Sequence, residues 1–317
     1  MTVLTRRDRQ GPVLTPSSLP CLGDVPTINI TEGCAHACAY CYTRGYSRYP
    51  GTGRVVLLEN TPELVRAELS RRRRRPRRVY FSPSSDPFQP LEEVLAVTHR
   101  MMSILLGSGV EVAFLTKGIP HERTMELVAA SPTSVFAQVG ITTLSERLQR
   151  ALEPGAASPG HRLRLIERLG QAQVAPMARL DPLIPDLTDT DGSLLPLLAE
   201  LARHGVRSIA ASYLFLRPPF AQQLCERLRE VVGRAYSAAH WSWQKSADGI
   251  GGGRMLGPAD RQRRYARLQA LAAQYGIEVH VCACKNPGLP CAADCQIAGP
   301  PRTRRQKPAL PLFPSLD

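Results

Sequence analysis

The chain has 317 residues, 43% of them hydrophobic, a length normal for one α/β barrel-type domain with appendages and enough apolar material for a real core. No run of about 18 apolar residues occurs, which excludes a helical membrane span. A net charge of +13 favours polyanionic partners, nucleic acid first, or an acidic protein. The opening stretch "MTVLTRRDRQGPVLTP" has no long apolar segment after its charges, so it does not read as a secretory signal, and a cytoplasmic protein is expected. In such a setting clustered cysteines point to metal rather than disulfides. Seven of the nine cysteines fall in two tight groups; Cys21 and Cys225 stand apart and read as ordinary structural thiols.

In chain order, residues 1–25 read as an irregular leader broken by Gly11, Pro12, Pro16, Pro20 and Gly23. A short strand is expected at 26–30, then a polar cysteine loop, then a helix over 61–73 with Thr61 near its cap and Pro62 in its first turn. An alternation follows: strand 78–82, helix 91–109, strand 110–116, a helix in "HERTMELVAAS", strand 134–142, helices near 144–152 and 160–172, strand 174–183, helix 193–205 and strand 206–216. Six βα units of this kind predict a parallel sheet covered by helices, with the chemistry at the carboxyl ends of the strands. Beyond 216 the rhythm changes. Helices are expected near 219–234 and 258–275, with the glycine-rich "HWSWQKSADGIGGGRM" (240–255) between them as a loop. A short strand over 277–281 leads into "CACKNPGLPCAADC", and the tail from 299 reads as loosely held. The domain plan is thus a leader over 1–25, a core over 26–216, a helical and cysteine-rich module over 217–298, and a flexible tail over 299–317.

"TEGCAHACAYCYTRGYSRYP" places Cys34, Cys38 and Cys41 within eight residues. Thiolates are soft ligands that select zinc, copper(I) or iron–sulfur clusters. A structural zinc site closes with four protein ligands. Three cysteines therefore fit a centre with one open position, or zinc with His36 as fourth ligand. The C-x3-C-x2-C spacing, with Tyr40 before the last cysteine, resembles the motif of the radical S-adenosylmethionine (SAM) superfamily. That resemblance implies a [4Fe–4S] cluster with three irons on cysteine and one free to chelate SAM, whose reductive cleavage gives methionine and a 5′-deoxyadenosyl radical.

The segments "GCAHACAYCY", "SSDPFQPLE", "FLTKG", "VGITTLSERLQRALEPGAASPGHRLRLIERL" and "LDPLIPDLTD" occur in order. Over about residues 26–216 they resemble the radical SAM family related to spore photoproduct lyase, often labelled DNA repair photolyase-like. The resemblance implies a partial (β/α)6 TIM-type barrel, with the cysteine-rich segment as a C-terminal extension and SAM lying across the strand tips. It further implies Tyr40 against the adenine, Ser84 and Asp86 near the SAM amino group, Lys117 at its carboxylate, and Thr142 at ribose or carboxylate. An ammonium suits such a point contact. Two positions depart from the family. Spore photoproduct lyase carries a hydrogen-donating cysteine just before its Ser-Asp pair, where this chain has Pro83, so thymine-dimer reversal by that route is not expected. Glu32 stands where many relatives carry a basic residue.

Cys282, Cys284, Cys291 and Cys295 fall within 14 residues, enough thiolates for a closed second centre, an auxiliary [4Fe–4S] cluster or structural zinc. "RRRRRPRR" over Arg71–Arg78 reads as a solvated helix end ended by Pro76, as a phosphate-binding surface for DNA or RNA, or as a dock for an acidic flavodoxin or ferredoxin that supplies the reductant. Trp241 and Trp243 read as core, with base stacking as the functional reading. The expected activity is that of a radical SAM enzyme acting on nucleic acid. The alternatives are one acting on a peptide or small metabolite, or a zinc-stabilised nucleic-acid-binding protein without radical chemistry.

Overall fold

The computed structural model describes residues 2–17, 19–233, 241–245, 252–286, 288–290, 292–293 and 296–299. Its strands are β1 (Val3–Arg7), β2 (Thr27–Ile28), β3 (Thr31–Glu32), β4 (Arg54–Leu58), β5 (Arg78–Phe81), β6 (Glu111–Thr116), β7 (Val135–Gly140), β8 (Met177–Leu183), β9 (Ser208–Tyr213), β10 (Ser242–Lys245), β11 (Gly252–Met255), β12 (Glu278–Cys282) and β13 (Ala292–Ala293). Its α-helices are α1 (Thr61–Arg71), α2 (Glu92–Gly107), α3 (Glu122–Ala129), α4 (Glu146–Leu152), α5 (Pro159–Gln171), α6 (Asp191–Arg203), α7 (Pro218–Val232) and α8 (Pro258–Ala273).

Among the described residues, eight strands form one parallel sheet in the order β13-β12-β9-β8-β7-β6-β5-β2. This is the expected α/β architecture, a partial TIM-type barrel. Alternation along each strand sorts its two faces. Val112, Phe114, Val139, Ile209 and Val281 belong to the large core under the helices, whereas Tyr80, Ala113, Met177, Ala210 and Cys282 form a second, inner cluster. No helix among the described residues is long and apolar enough to cross a membrane.

Three expectations are corrected. The leader is not irregular: β1 pairs in parallel with β4, whose other neighbour is β3. Residues 217–298 are not wholly an appended module, because β12 adds directly to β9 and β13 to β12. The stretch 240–255 is not merely a loop, since β10 and β11 pair antiparallel. Trp241 there is buried and Trp243 exposed. The tail from residue 300 lies outside the described residues.

The arginine run opens β5 and so sits at the amino edge of the parallel sheet. Helix α1 stops at Arg71, well before Pro76. Arg72 pairs with Glu68, and Arg77 and Arg78 pair with Glu111, the first residue of β6. Arg78 also stacks on Phe136, 3.7 Å from the ring centroid, so it belongs to the barrel rather than to a free basic surface.

Candidate functional site

Because the strands are parallel, the segments leaving β2, β5, β6 and β7 gather at one edge. They bring the cysteine loop, residues 82–86, Lys117 and Thr142 to that edge. The loop's shape begins at Gly33, where φ is +79° and an added Cβ would lie 2.4 Å from the Arg54 carbonyl oxygen and 2.8 Å from Pro50. A left-handed backbone and that contact both require glycine. Gly33→Ala is expected to cost at least about 2 kcal/mol in urea unfolding and to lower metal loading with it.

The turn between α4 and α5 clamps the same loop. Ser145 and Ser158 cap the two helices through Leu148 N and His161 N, both at 3.3 Å. Between those caps, Leu152 O accepts from Ala39 N at 2.8 Å, and Gly155 N donates to His36 O at 3.0 Å. Ala35 N donates to the buried Gln89 side chain at 2.7 Å. Glu153, 2% exposed, accepts from the Tyr40 hydroxyl and pairs with Arg162, 1% exposed. Arg162 also donates to the carbonyls of Ala157 and Gly140, at 2.8 and 2.9 Å. Burial opposes ionisation of Glu153, but Arg162, Lys117 and the Tyr40 hydrogen bond outweigh it and hold the carboxyl below its ordinary value.

The Lys117 ammonium stands 5.8 Å from the Tyr40 ring centroid. Its chain lies along Gly140, where an added Cβ would meet Lys117 Nζ at 3.2 Å. Burial works against its charge, yet Glu153 and Cys38 raise its pKa. Asp86 is committed within the chain. It accepts from Thr116 Oγ1 and Lys117 N, each at 2.7 Å, and from Phe88 N at 2.8 Å, while His36 Nδ1 faces it at 3.4 Å. This corrects the expected contact to the SAM amino group: both oxygens already pin the Lys117 turn and the cysteine loop, so Asp86 is a positioning residue. Ser84 is anchored through its backbone, its N donating to Asn29 Oδ1 at 2.9 Å, which leaves its hydroxyl at the tips; Thr142 is buried just past β7.

The three thiols lie within one another's electrostatic reach. Burial pushes the Cys34 thiol well up and the Cys38 thiol up to about 12. A metal cation bound there would favour the thiolates and offset that burial. His36 faces Asp86 through Nδ1, while its buried Nε2 has no hydrogen-bond partner and lies 3.2 Å from where an added Cβ at Gly118 would stand. Through Nδ1 it supports the loop, and the donor set that the motif itself supplies is three thiols. Among the described residues no three His, Cys, Asp or Glu side chains stand in a ready ligating array. The three-thiol set fits an iron–sulfur cluster held by three cysteines.

Glu32 has an account in the structure, pairing with Arg7 at 2.7 Å and Arg48 at 3.6 Å beside the cysteine loop. Four further residues on the inner face were not foreseen. Lys285 Nζ donates to both Asp181 oxygens, at 2.9 and 2.8 Å. Arg179 donates to Asp181 at 3.1 Å and to Gln138 at 3.2 Å. Asp181 also lies within charge reach of Lys117. Arg162 carried a signal, a charge followed three and four residues on by Leu165 and Ile166 along α5, whereas Glu153, just past α4, carried none. Cys282 and Cys284 stand apart from the first loop; Cys291 and Cys295 lie outside the described residues.

The Radical SAM superfamily matches residues 28–195, more than half of the chain. The uncharacterized protein Rv2578c of Mycobacterium tuberculosis is 32% identical over 200 residues, which cover 60% of this chain and 59% of that protein. A radical SAM Nalpha-GlyT isomerase of Pseudomonas phage M6 is 28% identical over 201 residues, 63% of this chain and 41% of the phage protein. The chain therefore spans less than two thirds of the length of these curated relatives. Among solved structures, spore photoproduct lyase complexed with dinucleoside spore photoproduct has a TM-score of 0.66 at 15% identity, covering 88% of this chain and 82% of that one. A mutant of that lyase with bound AdoMet and dinucleoside spore photoproduct has a TM-score of 0.65 at 16% identity, covering 87% and 81%. These likenesses are of fold. The sequence match decides the family: this chain belongs to the radical SAM superfamily, enzymes that work with a [4Fe–4S] cluster and S-adenosylmethionine.

Proposed function

We propose that the chain cleaves SAM reductively and directs the resulting radical at a hydrogen of a nucleic acid, in repair or modification. The observation that carries this is the meeting of Cys34, Cys38 and Cys41 with Lys117, Tyr40 and Glu153 at the strand tips. The three cysteines would hold a [4Fe–4S] cluster, which when bound supplies the electron for breaking the sulfonium carbon–sulfur bond. The chain's own part is binding, orientation and exclusion of water. Lys117 offers a fixed cation to the SAM carboxylate, Tyr40 a ring face to the adenine, Ser84 a hydroxyl near the amino group, and Thr142 one near ribose or carboxylate. Cys282, Cys284, Cys291 and Cys295 would hold a second centre, an auxiliary [4Fe–4S] cluster or zinc.

The substrate class rests on charge and on relatives. The net charge is +13, and the exposed Arg7 and Arg48 flank the cysteine loop through their shared partner Glu32. The fold neighbour's structures hold a dinucleoside photoproduct. Pro83 in place of a donor cysteine turns the proposal away from dimer reversal. The exposed arginines of the run Arg71–Arg78, at the far edge of the sheet and without the barrel-bound Arg78, are a surface for an acidic flavodoxin or ferredoxin, or for flanking nucleic acid.

Anaerobic protein given SAM and dithionite is expected to produce 5′-deoxyadenosine, and more of it with an oligonucleotide substrate present. Oligonucleotide binding should weaken roughly tenfold or more between 50 and 200 mM salt. Binding that ignores salt, with turnover indifferent to nucleic acid, would move the substrate to a peptide or small metabolite. No 5′-deoxyadenosine from iron-loaded protein would remove the activity itself.

A further inference from the structure

We propose that Cys21, far from the C-terminal cysteines in sequence, is a ligand of the second metal centre together with Cys282 and Cys284. The proposal rests on the second-centre reading above and adds a ligand to it from the other end of the chain. Cys21 N donates to Cys284 Sγ at 3.1 Å across a separation of 263 residues. The Cys284 thiol lies within interaction reach of the thiols of both Cys21 and Cys282, and all three residues border one inner cluster. Cys282 is 3% exposed. Three thiols thus converge from two segments that nothing in the local sequence links.

Their place in the fold explains why they meet. Strands β2 and β13-β12 are the two ends of the barrel sheet. Cys21 lies in a 3-10 turn (Pro20–Leu22) just before β2; Cys282 ends β12, and Cys284 lies in the 3-10 turn that follows it (Ala283–Lys285). The two turns pack together where the first and last strands would have to join to close the barrel. Leu22, Ile297 and Ala298 cover the same inner cluster as Cys282. A thiolate-bound metal here would clip a seam that no strand pairing among the described residues closes.

A lone buried cysteine behaves as a small apolar side chain. Three gathered around Cys284 supply a soft donor set, of the kind suited to zinc or an iron–sulfur cluster. Each thiol gives its proton to solvent as its thiolate ligates. Cys291 and Cys295 follow Cys284 in the sequence as sources of the fourth ligand. Lys285, next to Cys284, holds Asp181, which lies within charge reach of Lys117.

The test begins with a full-length variant in which Cys34, Cys38 and Cys41 are alanine, purified without oxygen and assayed for iron and zinc. It is expected to retain one centre per chain. Adding Cys21→Ala should weaken retention against a chelator at least about tenfold, while Cys225→Ala should leave it unchanged. In the unsubstituted chain, Cys21 should resist alkylation until the chelator strips the metal, a readout that does not require the variant to fold. A triple variant without metal would overturn both the second centre and the role of Cys21. Metal held equally well after Cys21→Ala, or alkylation of Cys21 at one rate before and after stripping, would overturn the role of Cys21 alone. A Cys21–Cys284 disulfide in oxygen-free protein would overturn it too.

Discussion

Cys38→Ala is expected to leave the chain folded and to end production of 5′-deoxyadenosine. Cys38 is half-buried in a loop, and removing its sulfur should cost no more than about 1 kcal/mol of stability. The loop keeps its other anchors: Ala39 N on Leu152 O, Ala35 N on Gln89, and Tyr40 on Glu153. The centre does not survive, because two thiols cannot hold what three hold, and no ready array of other ligating side chains stands there among the described residues. Iron per chain should fall by about four, and SAM cleavage to below about one hundredth of the unsubstituted rate. Wild-type turnover in this variant would show that the cluster is not on these cysteines.

Glu153→Leu is expected to produce the largest loss of stability, about 3 to 5 kcal/mol in denaturant unfolding. The change leaves the Arg162 guanidinium charged at 1% exposure without its partner and takes the acceptor from Tyr40. A second substitution, Arg162→Met, should recover much of the loss, as a double-mutant cycle would show. The pH dependence has a definite sign. The folded pKa of Glu153 lies below its ordinary value of 4.5, so its contribution is complete above that value and fades as pH falls through the lower folded one. The gap between wild type and Glu153→Leu should therefore be full at neutral pH and narrow below about pH 4.5. A gap unchanged at low pH would mean that shape, not charge, holds the clamp. Cluster loading should fall with stability, since the clamp sets the position of the loop.

The two predictions concern residues of very different legibility. Cys34, Cys38 and Cys41 are readable because their chemistry is a spacing within eight residues. The βα alternation is readable for a similar reason: amphipathic periodicity is local, and β5 to β9 fall where it places them. Strand β1 was not, because its partner β4 lies about fifty residues away and its own sequence is charged. The β10–β11 hairpin was hidden by glycines that weaken any strand signal. Asp86 was assigned toward a ligand, and only its four neighbours show that the fold itself uses it.

By itself the sequence determined the parallel α/β plan and the three-thiol loop, because periodicity and ligand spacing are properties of neighbouring residues. Tertiary structure alone decided which charges are buried against each other, as with Glu153 and Arg162, and which edge of the sheet carries Arg71–Arg78. It also decided that Cys21 meets Cys284, since a curved sheet brings the turns beside its first and last strands together although they share no local pattern.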